Sequence, residues 1–442
     1  DLSIEPKEFF LKLKQRILSR EVKIDFRSTV KRIGNYVRDL NAIIYEKVED
    51  ELISEVVNKL DLFSSIGDIK DKDTAKKQVI NLASYLLFNQ LLFYHIYNKK
   101  DKTNSLVELK EIQNVKDIQK YFNKITNINY QSIYRVNILG HIPKRKIVVE
   151  TLNEVIKAIK LLRAEHITQD LAGRFFHDLI PFEVRKVLAA FYTHPIAAEI
   201  LASLTIDSWD ETVIDPACGS GTLLVASYLR KQELYQKLYG YKDSMKIHKQ
   251  FIENDLTGID IMPFAAHISA INLTMQNIEQ ETNKVRIATL DSLEMVESLK
   301  SLGFKRKGIE ISPYSTSIQL RLDQVYGKPI TIEKKGSVSP KGRGLEFYLK
   351  PVNIVIMNPP FSAKEKMPSD MREKLNKNSL GEICSHQSNL WGYFLALADL
   401  LIKPNGKIGA VIPINIARGK ATEQIRNFLF NNYHIKYIVK PI

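Results

Sequence analysis

At 442 residues the chain exceeds what one hydrophobic core usually organises, so two domains are expected. Lys and Arg outnumber Asp and Glu by 64 to 50, a formal charge of +14 that suits a polyanionic partner and is equally compatible with an ordinary basic surface. Only two cysteines occur, Cys218 and Cys384, which excludes a disulfide framework or a four-ligand cysteine zinc site and points to a reducing cytoplasm.

The chain opens Asp1-Leu2-Ser3 without an initiator Met or a charged-then-apolar leader, so no signal peptide is expected and the start reads as trimmed. From residue 1 to about 180 apolar residues recur at helical spacing, as in Phe9, Phe10, Leu13 and Ile17, then Leu52, Ile53, Val56, Val57 and Leu60. Polar breaks at 67–73 and 99–104 read as solvated loops. The longest apolar run, Leu82 to Tyr97, contains Asn89, Gln90 and His95 and falls short of the roughly 20 residues that a membrane span needs. It reads as a buried helix, and no membrane partner is expected. Together these patterns predict an all-α domain over residues 1–180.

After Pro181 the texture changes to short β-rich runs alternating with helical patterns, which predicts an α/β domain over 181–442 built on a parallel sheet. Predicted strands are Thr212 to Asp215, Leu256 to Ile259, Val285 to Ala288, Asn353 to Met357, Lys407 to Ile412 and Ile435 to Val439. Predicted helices begin near Thr222, Pro263 and Leu390. In such sheets ligands bind beyond the carboxyl ends of the strands, so the residues just past each strand matter most.

The first strand runs into Asp215-Pro216-Ala217-Cys218-Gly219-Ser220-Gly221-Thr222. Glycines at a strand-to-helix turn let a ligand approach the backbone. A dinucleotide fingerprint would have a third glycine where Leu224 stands, and no acid at the strand end. A carboxylate there repels a pyrophosphate and attracts an ammonium, such as the one in the methionine moiety of S-adenosylmethionine. The second strand delivers Asp260, placed to accept from ribose hydroxyls, and the third Asp291, placed to accept from an adenine amino group. Either acid alone could equally be a helix cap. Upstream, Tyr192-Thr193-His194-Pro195 opens a helical stretch from Ile196 to Leu204; Thr ahead of Pro suggests a cap, at a helix start that could hold a cofactor carboxylate.

The fourth strand delivers Asn358-Pro359-Pro360-Phe361. An adenine amino nitrogen is a poor nucleophile because its lone pair is delocalised into the ring. Asn358 Oδ1 and the Pro359 carbonyl can hold its hydrogens and favour a tetrahedral nitrogen that attacks a sulfonium methyl in line. The prolines stiffen the loop, and Phe361 offers an extruded base a stacking face worth roughly 1–3 kcal/mol. This chemistry requires neither a metal nor a covalent nucleophile.

The order Phe-Tyr-Thr-x-Pro, Asp-Pro-Ala-Cys-Gly-Ser-Gly-Thr, Gly-Ile-Asp and Asn-Pro-Pro-Phe resembles the gamma class of N6-adenine DNA methyltransferases. That class includes the modification subunits of type I restriction systems and the methylase parts of fused restriction-modification enzymes. The stretch from Leu171 to Pro181 is similar to the lead-in of the fused enzymes. The resemblance implies a Rossmann-like methyltransferase domain preceded by the helical one. It implies that Tyr192, Thr193, Asp215, Ala217, Gly219, Gly221, Thr222, Asp260, Ile261, Asp291 and Asn358 bind S-adenosyl-L-methionine, and that Asn358, Pro359, Pro360 and Phe361 are catalytic. The implied substrate is duplex DNA, and the implied partners are a specificity or restriction subunit, or a target-recognition domain on a longer chain. RNA or protein-glutamine methylation, and an inactive DNA-binding subunit of a defence complex, remain as alternatives.

Two departures from the family pattern stand out. His194 replaces a frequent proline. The segment from Ser301 to Lys350 is long and carries ten Lys or Arg against four Asp or Glu. A β-rich excursion is expected there, with runs such as Ile318 to Leu322 and Ile330 to Ile332. Its basic residues, among them Arg306, Lys307, Lys334, Lys335, Lys341 and Arg343, either touch DNA phosphates or are simply solvated. The sixth predicted strand is expected to lack the antiparallel seventh strand that normally inserts beside it.

Overall fold

The computed structural model describes residues 35–45, 72–100, 106–128, 134, 138–140, 142–161, 193–240, 246–261, 263–277, 280, 282, 284–301, 309–311, 347–361 and 369–440. Contacts divide the chain into two units, Asp1–Val187 and Leu188–Ile442.

The described part of the first unit is helical: α1 (residues 35–45), α2 (Lys72–Lys100), α3 (Lys116–Ile128) and α4 (Lys146–Lys160). The apolar run forms the middle of α2. Its stretch Val79–Lys99 is 21 residues long and apolar enough to cross a membrane, longer than the sequence reading allowed. Yet Leu86, Leu91, Phe93, Tyr94 and Ile96 are buried inside this unit, against helices whose own faces bury Leu152, Val155, Ile156 and Ile159. Two of its polar side chains bond to the following loop. Tyr94 Oη donates to the Val107 carbonyl at 2.7 Å, and Asn98 Nδ2 to that of Leu106 at 2.9 Å. Helix α2 is therefore a core helix of this unit.

The second unit is an open α/β sheet. Its elements run α5 (Pro195–Thr205), β1 (Val213–Asp215), α6 (Thr222–Tyr239), β2 (Leu256–Asp260), α7 (Pro263–Thr274), β3 (Ile287–Thr289), α8 (Val296–Ser301), β4 (Ile309–Ile311), β5 (Phe347–Leu349), β6 (Val352–Met357), α9 (Ser369–Lys377), α10 (Gly381–Cys384), α11 (Leu390–Leu401), β7 (Ile402–Ala410) and α12 (Glu423–Asn432). The main sheet has the order β3-β2-β1-β6-β7 with every neighbouring pair parallel. Both faces are covered, which is why these strands read as unbroken apolar runs. Along β6, Ile354 and Ile356 face a cluster with Leu223, Leu224 and Phe251, while Val355 and Met357 face another with Trp391, Phe394 and Leu397. Cys218 and Cys384 are both buried thiols.

Two details differ from the sequence reading. First, β7 starts at Ile402 and not at Lys407. Val352 pairs with Ile402 and Ile354 with Lys407, so residues 403–406 bulge out of the ladder, with Asn405 at φ 63°. Second, Ile435 to Val439 forms no strand. Residues 433–440 make no ladder, and Tyr437, Ile438 and Val439 are exposed; alternating apolar residues need a neighbouring strand, and none lies beside them among the described residues. The described ends of the long excursion, where β structure is expected, form a separate antiparallel pair, Ile309↔Leu349 to Ile311↔Phe347. Arg306, Lys307, Lys334, Lys335, Lys341, Arg343 and the runs at 318–322 and 330–332 lie outside the described residues.

Candidate active site

The strand order reverses direction between β1 and β6, where an open parallel sheet forms its binding crevice. The carboxyl ends of β3, β2, β1 and β6 deliver, side by side, Asp291, Asp260, Asp215 and Asn358. The sequence-predicted residues thus converge on one edge, except Tyr192, which lies outside the described residues.

The glycine loop after β1 is held on every side. Asp215 Oδ1 accepts from Ala217 N at 3.0 Å, Cys218 N donates to the Ile259 carbonyl at 2.9 Å, and Gly219 N donates to Asp260 Oδ2 at 2.9 Å. Two residues that sequence reasoning missed complete the frame. Ser292 Oγ donates to the Pro216 carbonyl at 2.6 Å, and Asn272 Nδ2 to that of Ser220 at 2.7 Å. Asn272 had one local signal, a polar side chain buried on an apolar helix.

The glycines serve different ends. Gly221 has φ 81° and caps α6 just before Thr222; a Cβ there would lie 2.5 Å from Ser269 Oγ. Gly219 has φ 51°, and a Cβ on it would meet nothing within 4 Å. The loop thus presents bare backbone to open space at Gly219, while Ile261, just past Asp260, exposes 58% of its surface at the same edge. A cradle of this kind, with an apolar side chain beside an acid, fits a nucleoside.

Burial, aided by the nearby Asp260 carboxylate and opposed by the Ala217 N–H, raises the Asp215 carboxyl to about 8. A cation is the natural complement of such a group. Burial likewise raises Asp291, whose Oδ1 accepts from Leu293 N at 2.9 Å. Asp291 therefore caps the turn ahead of α8.

At the start of α5 the cap is His194, not Thr193: His194 Nδ1 accepts from Ile196 N at 3.3 Å, with Pro195 in the first turn. Thr193 turns the other way, and its Oγ1 accepts from Asn358 Nδ2 at 3.0 Å. That bond fixes the amide of Asn358, with the nitrogen committed to Thr193. Pro359 is buried, Pro360 and Phe361 are half-buried, and Phe361 packs against the same core cluster as Ala217.

Residues 181–306 match the N-6 DNA Methylase family and residues 254–441 match the Eco57I restriction-modification methylase family. Together these two models of adenine-N6 DNA methylases span residues 181–441, and the unit has the methyltransferase-like fold. The chain is 33% identical over 89 residues to the type II methyltransferase M.BanIII of Aneurinibacillus aneurinilyticus, a match covering 20% of this chain and 14% of that protein. It is 29% identical over 119 residues to the adenine-specific methyltransferase BrxX of Escherichia coli O9:H4 (strain HS), covering 25% of this chain and 10% of BrxX. In three dimensions it resembles a modification subunit of a putative type I restriction enzyme from Vibrio vulnificus YJ016, with a TM-score of 0.51 at 14% identity over 90% of this chain and 75% of that one. The matched segments span only a small part of the curated relatives.

Proposed function

We propose that the chain transfers a methyl group from S-adenosylmethionine to the N6 amino group of adenine in duplex DNA, as part of a restriction-modification or related defence system in the cytoplasm. When bound, S-adenosylmethionine supplies an electrophilic methyl on a sulfonium. Asp215 would hold the cofactor's ammonium, the Gly219 backbone and Asp260 its ribose, and Ile261 and Asp291 its adenine. The supporting argument is electrostatic: a buried carboxyl that desolvation drives towards neutrality gains most from a cation.

Asn358 and Pro359 act on the target nitrogen. Asn358 donates through Nδ2 to Thr193 Oγ1, which orients Oδ1 as an acceptor. Together with the Pro359 carbonyl it holds the two amino hydrogens, so that the nitrogen lone pair points at the methyl carbon. Transfer would form the N–C bond as the S–C bond breaks, with one amino proton leaving to solvent. Phe361 stacks on the extruded base. Site selection belongs to a further recognition element, either a specificity or restriction partner or a domain outside these residues, because phosphate contacts alone carry no sequence information.

The single observation that carries this reading is the Thr193–Asn358 bond at 3.0 Å, which aims one amide at the sheet edge where three strand-end acids converge. Labelled methyl transfer from S-adenosylmethionine to duplex DNA, followed by nucleoside analysis, tests it. N6-methyladenine is the expected product. Label in RNA or protein instead would overturn the substrate assignment. Asn358→Ala should abolish transfer and leave cofactor affinity within a few-fold of the parent, and turnover by this variant near the parent rate would remove Asn358 from the chemistry.

A further inference from the structure

The loop after β7 leaves the sheet beside the catalytic residues. Met357 of β6 pairs with Ala410 of β7, and Val411 N donates to the Met357 carbonyl at 2.9 Å. The chain therefore departs from β7 at the same edge as Asn358. Beyond it, side chains alternate in and out: Ile412 and Ile416 pack against the core, while Ile414 between them exposes 67% of its surface.

The loop is braced from behind. Arg426 of α12 donates from Nη1 to the Ile416 carbonyl at 2.8 Å and to that of Gly419 at 3.2 Å. Gly419 N donates to the Asn415 carbonyl at 2.7 Å, and Thr422 Oγ1 to the Gly419 carbonyl at 2.8 Å. Arg418 and Lys420 are exposed on the same loop. A large aliphatic side chain is thus held in solvent by a rigid support, with two cations a few residues on, next to Asn358-Pro359-Pro360-Phe361.

Other exposed apolar residues have a different position. Tyr437, Ile438 and Val439 follow α12 back across the sheet, and the charge of Lys436 acts on Asp207, which pairs with Lys407 near the amino end of β1. They belong to the opposite edge. Ile414 instead lies on the loop that leaves β7 at the edge carrying Asn358.

We propose that Ile414 is a wedge that fills the base stack when the target adenine leaves the duplex, with Arg418 and Lys420 on the flanking phosphates. The inference rests on the DNA-methylation reading above. Extruding a base leaves an apolar gap between its neighbours, and an aliphatic side chain on a rigid loop keeps that gap from closing.

The test compares the full chain with Ile414→Ala and Ile414→Leu on two duplexes of the same sequence, one with the target adenine paired and one with it opposite an abasic site. Ile414→Ala should slow single-turnover methylation of the paired duplex about tenfold or more and change that of the pre-opened duplex by about threefold or less. Ile414→Leu should recover most of the loss. In the paired duplex, 2-aminopurine at the target should brighten less with the alanine variant. Replacing both Arg418 and Lys420 by Ala should reduce the slope of log affinity against log salt by about two. An equal loss on both duplexes, or no loss on either, overturns the wedge alone. An unchanged salt slope removes the two cations from the phosphates. A parent protein that methylates neither duplex overturns the functional reading, and the wedge with it.

Discussion

The Asp215 carboxyl has 1% of its surface exposed, one N–H donor from Ala217, and the Asp260 carboxylate nearby. Burial raises it from 3.8 to about 8, so the folded protein keeps a proton that the unfolded chain releases. Stability from this group is complete below the unfolded value and is lost as pH rises through the folded one. Asp215→Asn keeps the oxygen that accepts from Ala217 and removes the titration. The ligand-free variant should therefore gain on the parent by up to a few kcal/mol as pH rises from about 5 to about 8. Thermal unfolding at both pH values measures this, and parallel curves would mean that Asp215 is already ionised at about pH 5. A bound ammonium favours the carboxylate, so cofactor binding should also release a proton.

At the scale of the elements, β2 is closely enclosed at Gly258. A Cβ on Gly258 would lie 2.6 Å from Ile287 Cδ1, 2.7 Å from Leu224 Cδ1 and 3.0 Å from Cys218 Sγ. Gly258→Ala should cost about 1–3 kcal/mol by overpacking, and should weaken cofactor binding because Cys218 sits in the glycine loop. Denaturant unfolding would show the first effect, and an unchanged midpoint would show that the strand has room. The sequence was legible where periodicity and punctuation agree: α6, α7 and α11 begin at Thr222, Pro263 and Leu390, the starts that the sequence reading predicts. Asp215, Asp260 and Asn358 were legible for a related reason, since a polar residue at the end of a buried strand has few structural uses. The first half of β7 was hidden because Pro404-Asn405-Gly406 reads as a turn, and it is a bulge inside a strand. Ile435 to Val439 misled because alternation reports only a capacity to pair. Ser292 and Asn272 could not be assigned from their surroundings, since their acceptors lie 76 and 52 residues away. His194 as the cap, which releases Thr193 for Asn358, likewise needed three dimensions.

For the whole molecule, a charge of +14 includes ten Lys or Arg between Ser301 and Lys350, an excursion whose described ends are tied by the β4–β5 pair. Neutralising Arg306, Lys307, Lys334 and Lys335 together should lower the slope of log affinity against log salt by up to about four, read by fluorescence anisotropy on a duplex. A slope identical to the parent's would show these side chains to be solvated and remote from DNA. The same excursion, with β2, β3 and their helices, separates the neighbouring strands β1 and β6 in the chain. Thr212 and Asn353, hydrogen-bonded at 2.7 Å between Oγ1 and Oδ1, lie 141 residues apart in the chain. Doubling the length of a closed loop costs only about 0.6 kcal/mol, so equilibrium stability tolerates length changes here. Folding time does not escape so lightly. On a ribosome, β1 emerges on the order of ten seconds before β6 has been made, and until then one side of an apolar strand has no ladder to join. Pairing of β1 with β6 is therefore a late, non-local step, and the open apolar side of β1 is an aggregation hazard that a chaperone can cover while the chain is being made.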